Sequence, residues 1–162
     1  MSFWDSFKRS QYAYREFSNS MRGRSSSFSS IDQSINQLHK WKYEFESLDS
    51  EARMERDPFD AINRLSGVLN QITNRIDGLL VLRTRLIGDL QKIRERIKSL
   101  EESIVRTQDS LRYDSQKINN MRDGEAKRNL YRKFAEKDDK LINMRSLLLE
   151  LQIKQKSIDP GY

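Results

Sequence analysis

The sequence is organised around residues 58–121, which read PFDAINRLSGVLNQITNRIDGLLVLRTRLIGDLQKIRERIKSLEESIVRTQDSLRYDSQKINNM. From Ile62, alternate steps of three and four residues meet an apolar side chain at fifteen of eighteen positions, the exceptions being Arg83, Thr107 and Asp114. An apolar repeat of this spacing is typical of a long helix that buries one seam against other helices. At about 1.5 Å per residue, such a helix would be about 95 Å long. We therefore predict one long central helix.

Composition agrees with a helical chain. The chain has 162 residues, enough for one domain, of which 36% are hydrophobic and 33% charged, which suits elongated helices with narrow seams. Cysteine is absent, so disulfides and thiolate chemistry have no residue to use. No apolar run approaches the roughly 18 residues that cross a bilayer, and the N-terminus does not resemble a secretory signal. We expect a cytoplasmic protein that is soluble or peripheral to a membrane.

Residues 1–24 are predicted to form an amphipathic helix whose apolar face is largely aromatic. At about 100° per residue, most of the rings and Met21 fall within a stripe about 80° wide, and the cations point elsewhere. This pattern is typical of a helix that lies in a membrane interface, but a helix that docks on the protein's own bundle or in a partner's groove would also have it. The residues of this segment predicted to bind membrane are Phe3, Trp4, Phe7, Lys8, Arg9, Tyr14, Phe17 and Arg22.

A serine-rich linker is predicted at residues 25–30. Ser25 and Ser27 each follow an arginine by three residues, a pattern that permits phosphorylation by a basic-directed kinase. A phosphate there would weaken adhesion of the chain to an anionic surface, because it adds negative charge.

Residues 31–158 are predicted to form one elongated helical coiled-coil domain, followed by a tail at residues 159–162. A helix at residues 31–52 would fold back on the beginning of the long helix, and a helix at residues 125–158 would fold back on its end. The predicted fold is therefore all-α, with antiparallel helical hairpins around one long central helix and an N-terminal amphipathic helix.

Local signals mark both ends of the long helix. Asp57 precedes Pro58, and a side-chain acceptor followed by proline is a strong N-cap combination. Asp123 and Gly124 break the pattern at the other end. We predict helix starts near Pro58 and near Glu125.

The flanking helices are too short to cover the middle of the long helix. By residue count, the first reaches back only to about Leu79 and the third only to about Leu90, and between them the sequence is apolar on nearly every side. An exposed apolar segment marks an interface, and the same segment of a second copy is the simplest partner. A polar seam residue within it can fix the register of such a pair. The predicted homodimer interface is Leu79, Leu80, Leu82, Arg83, Leu86, Ile87 and Leu90.

The net charge is +6, and the cations are distributed unevenly. On the outer face of the long helix, bases alternate with acids at spacings of three and four, so they are expected to pair with one another. At the tip before the third helix, five cations face only two carboxylates. Four of them lie in the first turns of that helix, where the helix dipole disfavours positive charge, and this favours an anionic target. These predicted membrane-binding cations are Arg122, Lys127, Arg128, Arg132 and Lys133.

Three short segments are similar to a known family: FKRS at residues 7–10, QLHKW at residues 37–41, and INRLSGVL at residues 62–69. They resemble, in order, the N-terminal segment, the end of helix one and the start of helix two of the eisosome core proteins of fungi, which are BAR-domain proteins. This resemblance implies an antiparallel helical-coil dimer that binds and bends membranes through basic surfaces and tips.

Two functions fit these patterns. The first is a non-enzymatic dimeric coiled-coil protein that binds an anionic membrane surface and scaffolds or shapes it. The alternative is a structural coiled-coil subunit of a larger assembly, with protein contacts only. The sequence has no glycine-rich phosphate loop or nucleophile paired with a base, and His39 is its one histidine. We therefore expect no catalytic residues, metal site, cofactor or small-molecule substrate, and the lack of a groove-reading motif disfavours nucleic acid.

Overall fold

The computed structural model describes residues 2–22 and 26–159, and these residues form helices and the turns between them, with no strand. The prediction of an all-helical chain with one long central helix is confirmed. The helices are α1 (Phe3–Ser20), α2 (Phe28–Glu46), α3 (Asp49–Arg53), α4 (Pro58–Asn119) and α5 (Glu125–Ile158).

The predicted start of the long helix is confirmed in detail. The backbone N–H of Asp60 donates to Oδ1 of Asp57 at 3.3 Å, and Pro58 occupies the first helical position. At the other end α4 stops at Asn119, two residues before the predicted end. There the Met121 N–H donates to the carbonyl of Ile118 at 3.1 Å, an i to i−3 bond that closes the last turn.

The predicted linker at residues 25–30 is shorter than expected, because α2 already begins at Phe28. Ser27 and Ser30 form a reciprocal capping box: the Ser30 N–H donates to Ser27 Oγ, and the Ser27 N–H donates to Ser30 Oγ, each at 3.2 Å. Serines that suggested a flexible segment therefore start a helix. Ser25 lies outside the described residues.

The predicted helix at residues 31–52 is interrupted. After α2 ends at Glu46, the Leu48 N–H donates to the carbonyl of Phe45 at 3.0 Å, which tightens the chain into a turn before α3. Leu48 and Ala52 are both buried. The break therefore lets two successive turns contribute apolar side chains to the core.

Contacts between residues divide the chain into two compact units, the first ending at Gly88 and also including Ile158, and the second covering residues 89–157. The first unit has a core built from α1, α2, α3 and the first part of α4. The buried residues of that core are Phe3, Phe7, Tyr14, Leu38, Phe45, Leu48, Ala52, Ala61, Leu65, Val68, Ile72 and Ile76.

The second unit pairs the last part of α4 with α5. Ile104 and Leu111 of α4 pack with Leu141 of α5, and half-buried apolar side chains of α5 surround them. Asp114, which breaks the apolar repeat in the sequence, is only 6% exposed and lies next to Lys137. Lys137 Nζ donates to Asp114 Oδ2 at 2.7 Å, so this polar residue in the seam is paired by a cation from the other helix.

Candidate interaction surfaces

The aromatic face of α1 is packed inside the first unit. Phe3, Phe7 and Tyr14 are buried, and Trp4 and Phe17 pack against the same core. These are the five rings predicted to enter a membrane. In the structure the rings instead lie against the other helices, where Phe3, Phe7 and Tyr14 are buried and Trp4 and Phe17 are half-buried. Docking on the protein's own bundle, the alternative interpretation of this helix, is the arrangement observed.

Ring contacts show how α1 is held. The centroid of the Phe7 ring lies 6.0 Å from that of Phe45, and the Tyr14 centroid lies 5.9 Å from that of Trp41, both in edge-to-face geometry. Aromatic pairs at such distances and angles add stabilisation beyond the burial of their area. The aromatic residues of α1 therefore match aromatic residues that α2 supplies.

Two arginines of α4 fix the outer edges of α1. The Arg64 guanidinium lies 5.5 Å from the centroid of the Trp4 ring, a cation–π distance. Arg75 donates to the Tyr14 hydroxyl at 3.2 Å and also to the hydroxyl of Ser18. The bond from Arg75 satisfies the Tyr14 hydroxyl while the ring of Tyr14 stays in the core. The predicted membrane-binding cations of α1, Lys8, Arg9 and Arg22, remain exposed.

The middle of α4 is partly covered by the chain itself. Arg83, predicted to lie at an interface with a second copy, donates from Nε to Asp32 Oδ1 at 2.8 Å, and its guanidinium lies 5.2 Å from the centroid of the Phe28 ring. Asp32 lies in the first turn of the predicted helix, and the early start of α2 at Phe28 adds the ring contact, so both contacts lie past Leu79. The predicted reach of the first helix was therefore too short.

The predicted dimer residues fall into three classes of exposure. Leu79, Leu82, Arg83 and Leu86 are half-buried, while Leu90 is buried within the second unit. Leu80 and Ile87 are each 47% exposed, and neighbouring Val81 is 54% exposed. The sequence predicted a segment with exposed apolar residues on nearly every side, whereas the structure leaves one exposed apolar face. We call Leu80, Val81 and Ile87 the α4 face.

The cations at the start of α5 form the second predicted surface. Lys127 Nζ lies 3.2 Å from Asp123 Oδ1, so it is paired. The other four predicted cations are exposed, and none of them forms an ion pair with a residue that the structure describes. We call this group, Arg122, Arg128, Arg132 and Lys133, the basic tip.

A third surface lies on α5 and was missed in the sequence. Tyr131, Ile142, Leu149 and Ile153 are between 53% and 62% exposed, and Ala135 is exposed as well. At about 100° per residue, all five lie within about 20° of one line along the helix. The seam that packs on α4 lies on another side of α5. We call these five residues the α5 stripe. A second apolar repeat, offset from the first, was its signal in the sequence.

None of the described helices combines the length and the apolar content needed to span a membrane. Within residues 2–22 and 26–159, no three histidine, cysteine or carboxylate side chains come together as a potential metal site. Comparison with known proteins found no matching family model, no matching curated protein and no matching solved structure.

Proposed function

We propose that this protein is a helical scaffold that works by binding, and that its copies pair through the α4 face. The observation that carries the proposal is the exposure of three large apolar side chains clustered between positions 80 and 87 of α4, namely Leu80, Val81 and Ile87. Covering apolar surface contributes about 25 cal/mol for each Å² removed from water. An exposed apolar face on α4 therefore favours a partner.

A second copy is the partner that this face fits. A two-fold axis perpendicular to α4 near Thr84 would bring Leu80 of one copy against Ile87 of the other, because both residues lie three to four positions from that point. Thr84 at the centre of the face is a small residue. Its hydroxyl donates to the carbonyl of Leu80 at 3.0 Å, so it needs no partner from the second copy. The two α4 helices would then cross in an antiparallel sense.

An antiparallel arrangement within each copy is part of the same proposal. Early residues of α2 contact late residues of the first unit, as in the pair formed by Asp32 and Arg83. In α5, Lys137 contacts Asp114 across the turn at Gly124. These contacts support helical hairpins whose remaining apolar faces are free for assembly, in the manner of a coiled-coil subunit.

The test is the mass of the chain in solution. Leu80→Glu combined with Ile87→Glu puts charge into the proposed contact, and both side chains are exposed enough for the fold to tolerate the change. We expect the assembly to become smaller, with an unchanged helical circular dichroism spectrum. Val105→Glu is the matched control, since Val105 is a 54% exposed apolar residue of α4 outside the face. An unchanged mass for the double variant would refute the α4 contact.

A second candidate function, binding of an anionic membrane, is supported by the basic tip. Its four cations are exposed, and a cluster of exposed cations suits the headgroup region of an anionic bilayer. The resemblance to BAR-domain proteins implies the same contact. The aromatic face of α1 takes no part in this version, because it is packed in the core.

Co-sedimentation with vesicles tests the tip. Each cation near an anionic surface contributes about 1 kcal/mol, so Arg122→Glu with Arg128→Glu should lower binding to phosphatidylserine vesicles by thirtyfold or more, as an order of magnitude. Lys92→Glu with Lys98→Glu, on the outer face of α4, is the matched control and should have a smaller effect. Equal binding to anionic and neutral vesicles, or equal effects of the two variants, would refute the membrane candidate.

A further inference from the structure

We propose that the α5 stripe is a second self-association surface, on which two copies pair antiparallel about a two-fold axis at Ile142. The inference concerns a different surface from the α4 face and stands independently of it. It rests on three properties of the described residues: exposure of the stripe, the symmetry of its spacing, and the charges beside it.

The exposure is sustained along the helix. The stripe runs from Tyr131 to Ile153, a span of six turns, and its four large side chains each leave more than half of their surface in water. Another side of α5, about 100° around the helix from Ile142 at Leu141, already packs on α4 together with its half-buried neighbours. A helix with apolar residues on two separate sides is typical of a helix that lies between two others.

The spacing of the stripe is symmetric about Ile142. Tyr131 and Ile153 lie eleven residues to either side of it, and Ala135 and Leu149 lie seven residues to either side. In an antiparallel pair centred there, the small side chain of Ala135 would face the large side chain of Leu149, and Tyr131 would face Ile153. Ile142 would meet its own counterpart on the axis. Small and large residues in opposition fill a helix interface evenly.

The charges beside the stripe are complementary in the same register. Asp138 lies four residues before Ile142 and Arg145 three after it, on one flank, so each would face the other in the second copy. On the other flank Arg132 would face Glu150. All four side chains are exposed, and none has an ion-pair partner among the residues that the structure describes. An antiparallel pair thus gains four ion pairs across its two flanks.

These charges favour a second copy over a lipid surface. Asp138 and Glu150 lie beside the apolar residues, and an anionic membrane would repel both carboxylates. The same acids have basic partners when two copies meet. The α5 stripe is therefore assigned to protein, and binding of the stripe to vesicles is an outcome that would overturn the proposal.

Cysteine cross-linking tests the register, because the chain has no cysteine of its own. A cysteine at the axis meets its counterpart, so Ile142→Cys should form a covalent dimer under mild oxidation. Ala135→Cys and Leu149→Cys should not cross-link singly, but a mixture of the two variants should. Val105→Cys is the control for random collision. Equal self-linking of the Ala135 and Leu149 variants would indicate a parallel pair, and linking of no stripe variant would exclude the contact; either result overturns the proposal.

Charge reversal tests the flanks independently. Asp138→Arg alone would face Arg145 of the second copy and should weaken association about tenfold. Adding Arg145→Asp restores opposite charges and should recover most of the lost affinity. A structural effect of the first substitution within one copy would not be rescued in this way. Failure of the double variant to recover would refute the register.

Combining the two sets of variants separates this inference from the α4 contact. With both contacts intact, the chain should form a tetramer or a longer polymer, since two distinct two-fold contacts on one chain link more than two copies. Ile142→Glu alone, and Leu80→Glu with Ile87→Glu, should each stop assembly at a dimer, and their combination should give a monomer. If Ile142→Glu leaves the wild-type mass, the α5 proposal fails while the α4 contact stands.

Discussion

Replacement of Phe7 by alanine tests whether the aromatic residues of α1 are core or membrane anchor. The Phe7 ring is 3% exposed, and its centroid lies 5.5 Å from that of Phe3 and 6.0 Å from that of Phe45. Truncation of a buried phenylalanine costs about 3–5 kcal/mol. Because α1 is close to the end of the chain and can relax, we expect about 3 kcal/mol. With an m-value of about 1.5 kcal/mol/M, the urea midpoint of the first unit should fall by about 2 M.

Tryptophan fluorescence is the appropriate assay. Both tryptophans of the chain, Trp4 and Trp41, belong to the first unit, so their emission reports its unfolding without a contribution from the second. Tyr12→Ala is the matched control, because Tyr12 is an aromatic residue of the same helix that is 67% exposed. We expect that variant to stay within about 0.5 kcal/mol of the wild type.

The urea midpoint and vesicle binding of Phe7→Ala together distinguish a membrane anchor from a core residue. If Phe7→Ala left the urea midpoint unchanged but weakened binding to anionic vesicles, the ring would be a membrane anchor and the packing of α1 described above would not be its state in solution. If the variant lowered the midpoint and left vesicle binding unchanged, the aromatic face would be core.

Three further substitutions test the described contacts. Lys137→Met removes the partner of the buried Asp114 carboxylate and should destabilise the second unit by about 2 kcal/mol in thermal unfolding. Adding Asp114→Leu should restore most of that loss. Equal stability of Lys137→Met and the wild type would contradict the pairing. Ser27→Ala removes the N-cap of α2 and should cost about 1 kcal/mol in urea unfolding, and no change would mean that the capping box is not formed. The hydroxyl of Ser2 donates to the carboxylate of Asp5 and lowers the pKa of Asp5, so Ser2→Ala should raise that pKa in an NMR titration. A contact that lowers the pKa of a carboxyl is present while the carboxyl is ionised and is lost as the pH falls through that pKa. If the pKa of Asp5 is the same in Ser2→Ala and in the wild type, the contact is contradicted.

The sequence was sufficient for the long helix and its ends, because these depend on local chemistry. A 3.5-residue apolar repeat specifies the helix wherever its partners lie, and Asp57 with Pro58 specifies the start. The chain break at Gly124 likewise predicted the start of α5 at Glu125. Each of these signals acts within a few residues, so no knowledge of the tertiary packing was needed.

The position of α1 could not be predicted in the same way. An aromatic stripe flanked by cations suits a lipid surface and a protein core equally, and the choice depends on residues far along the chain. Tyr14 is held by Arg75, and Phe7 packs on Phe45. Such matches between distant segments leave no local pattern in either segment.

The exposed surfaces were also only partly predictable. The start of α2 depended on Ser27 and Ser30, whose capping box had the composition of a linker, and the added turn placed Phe28 against Arg83. On α5, the sequence-based prediction covered the helix and its basic tip, but it did not include the second apolar side, next to the seam that carries Leu141. Ile142, adjacent to Leu141, belongs to that second side.

The mass of the intact chain in sedimentation velocity, measured over a range of concentrations, tests most directly whether this protein assembles through its exposed apolar faces. We expect species of more than two copies of the 19.3 kDa chain, reduced to dimers by Leu80→Glu with Ile87→Glu and by Ile142→Glu, and unchanged by Val105→Glu. A monomer of 19.3 kDa that persists at concentrations on the order of 100 µM would contradict it.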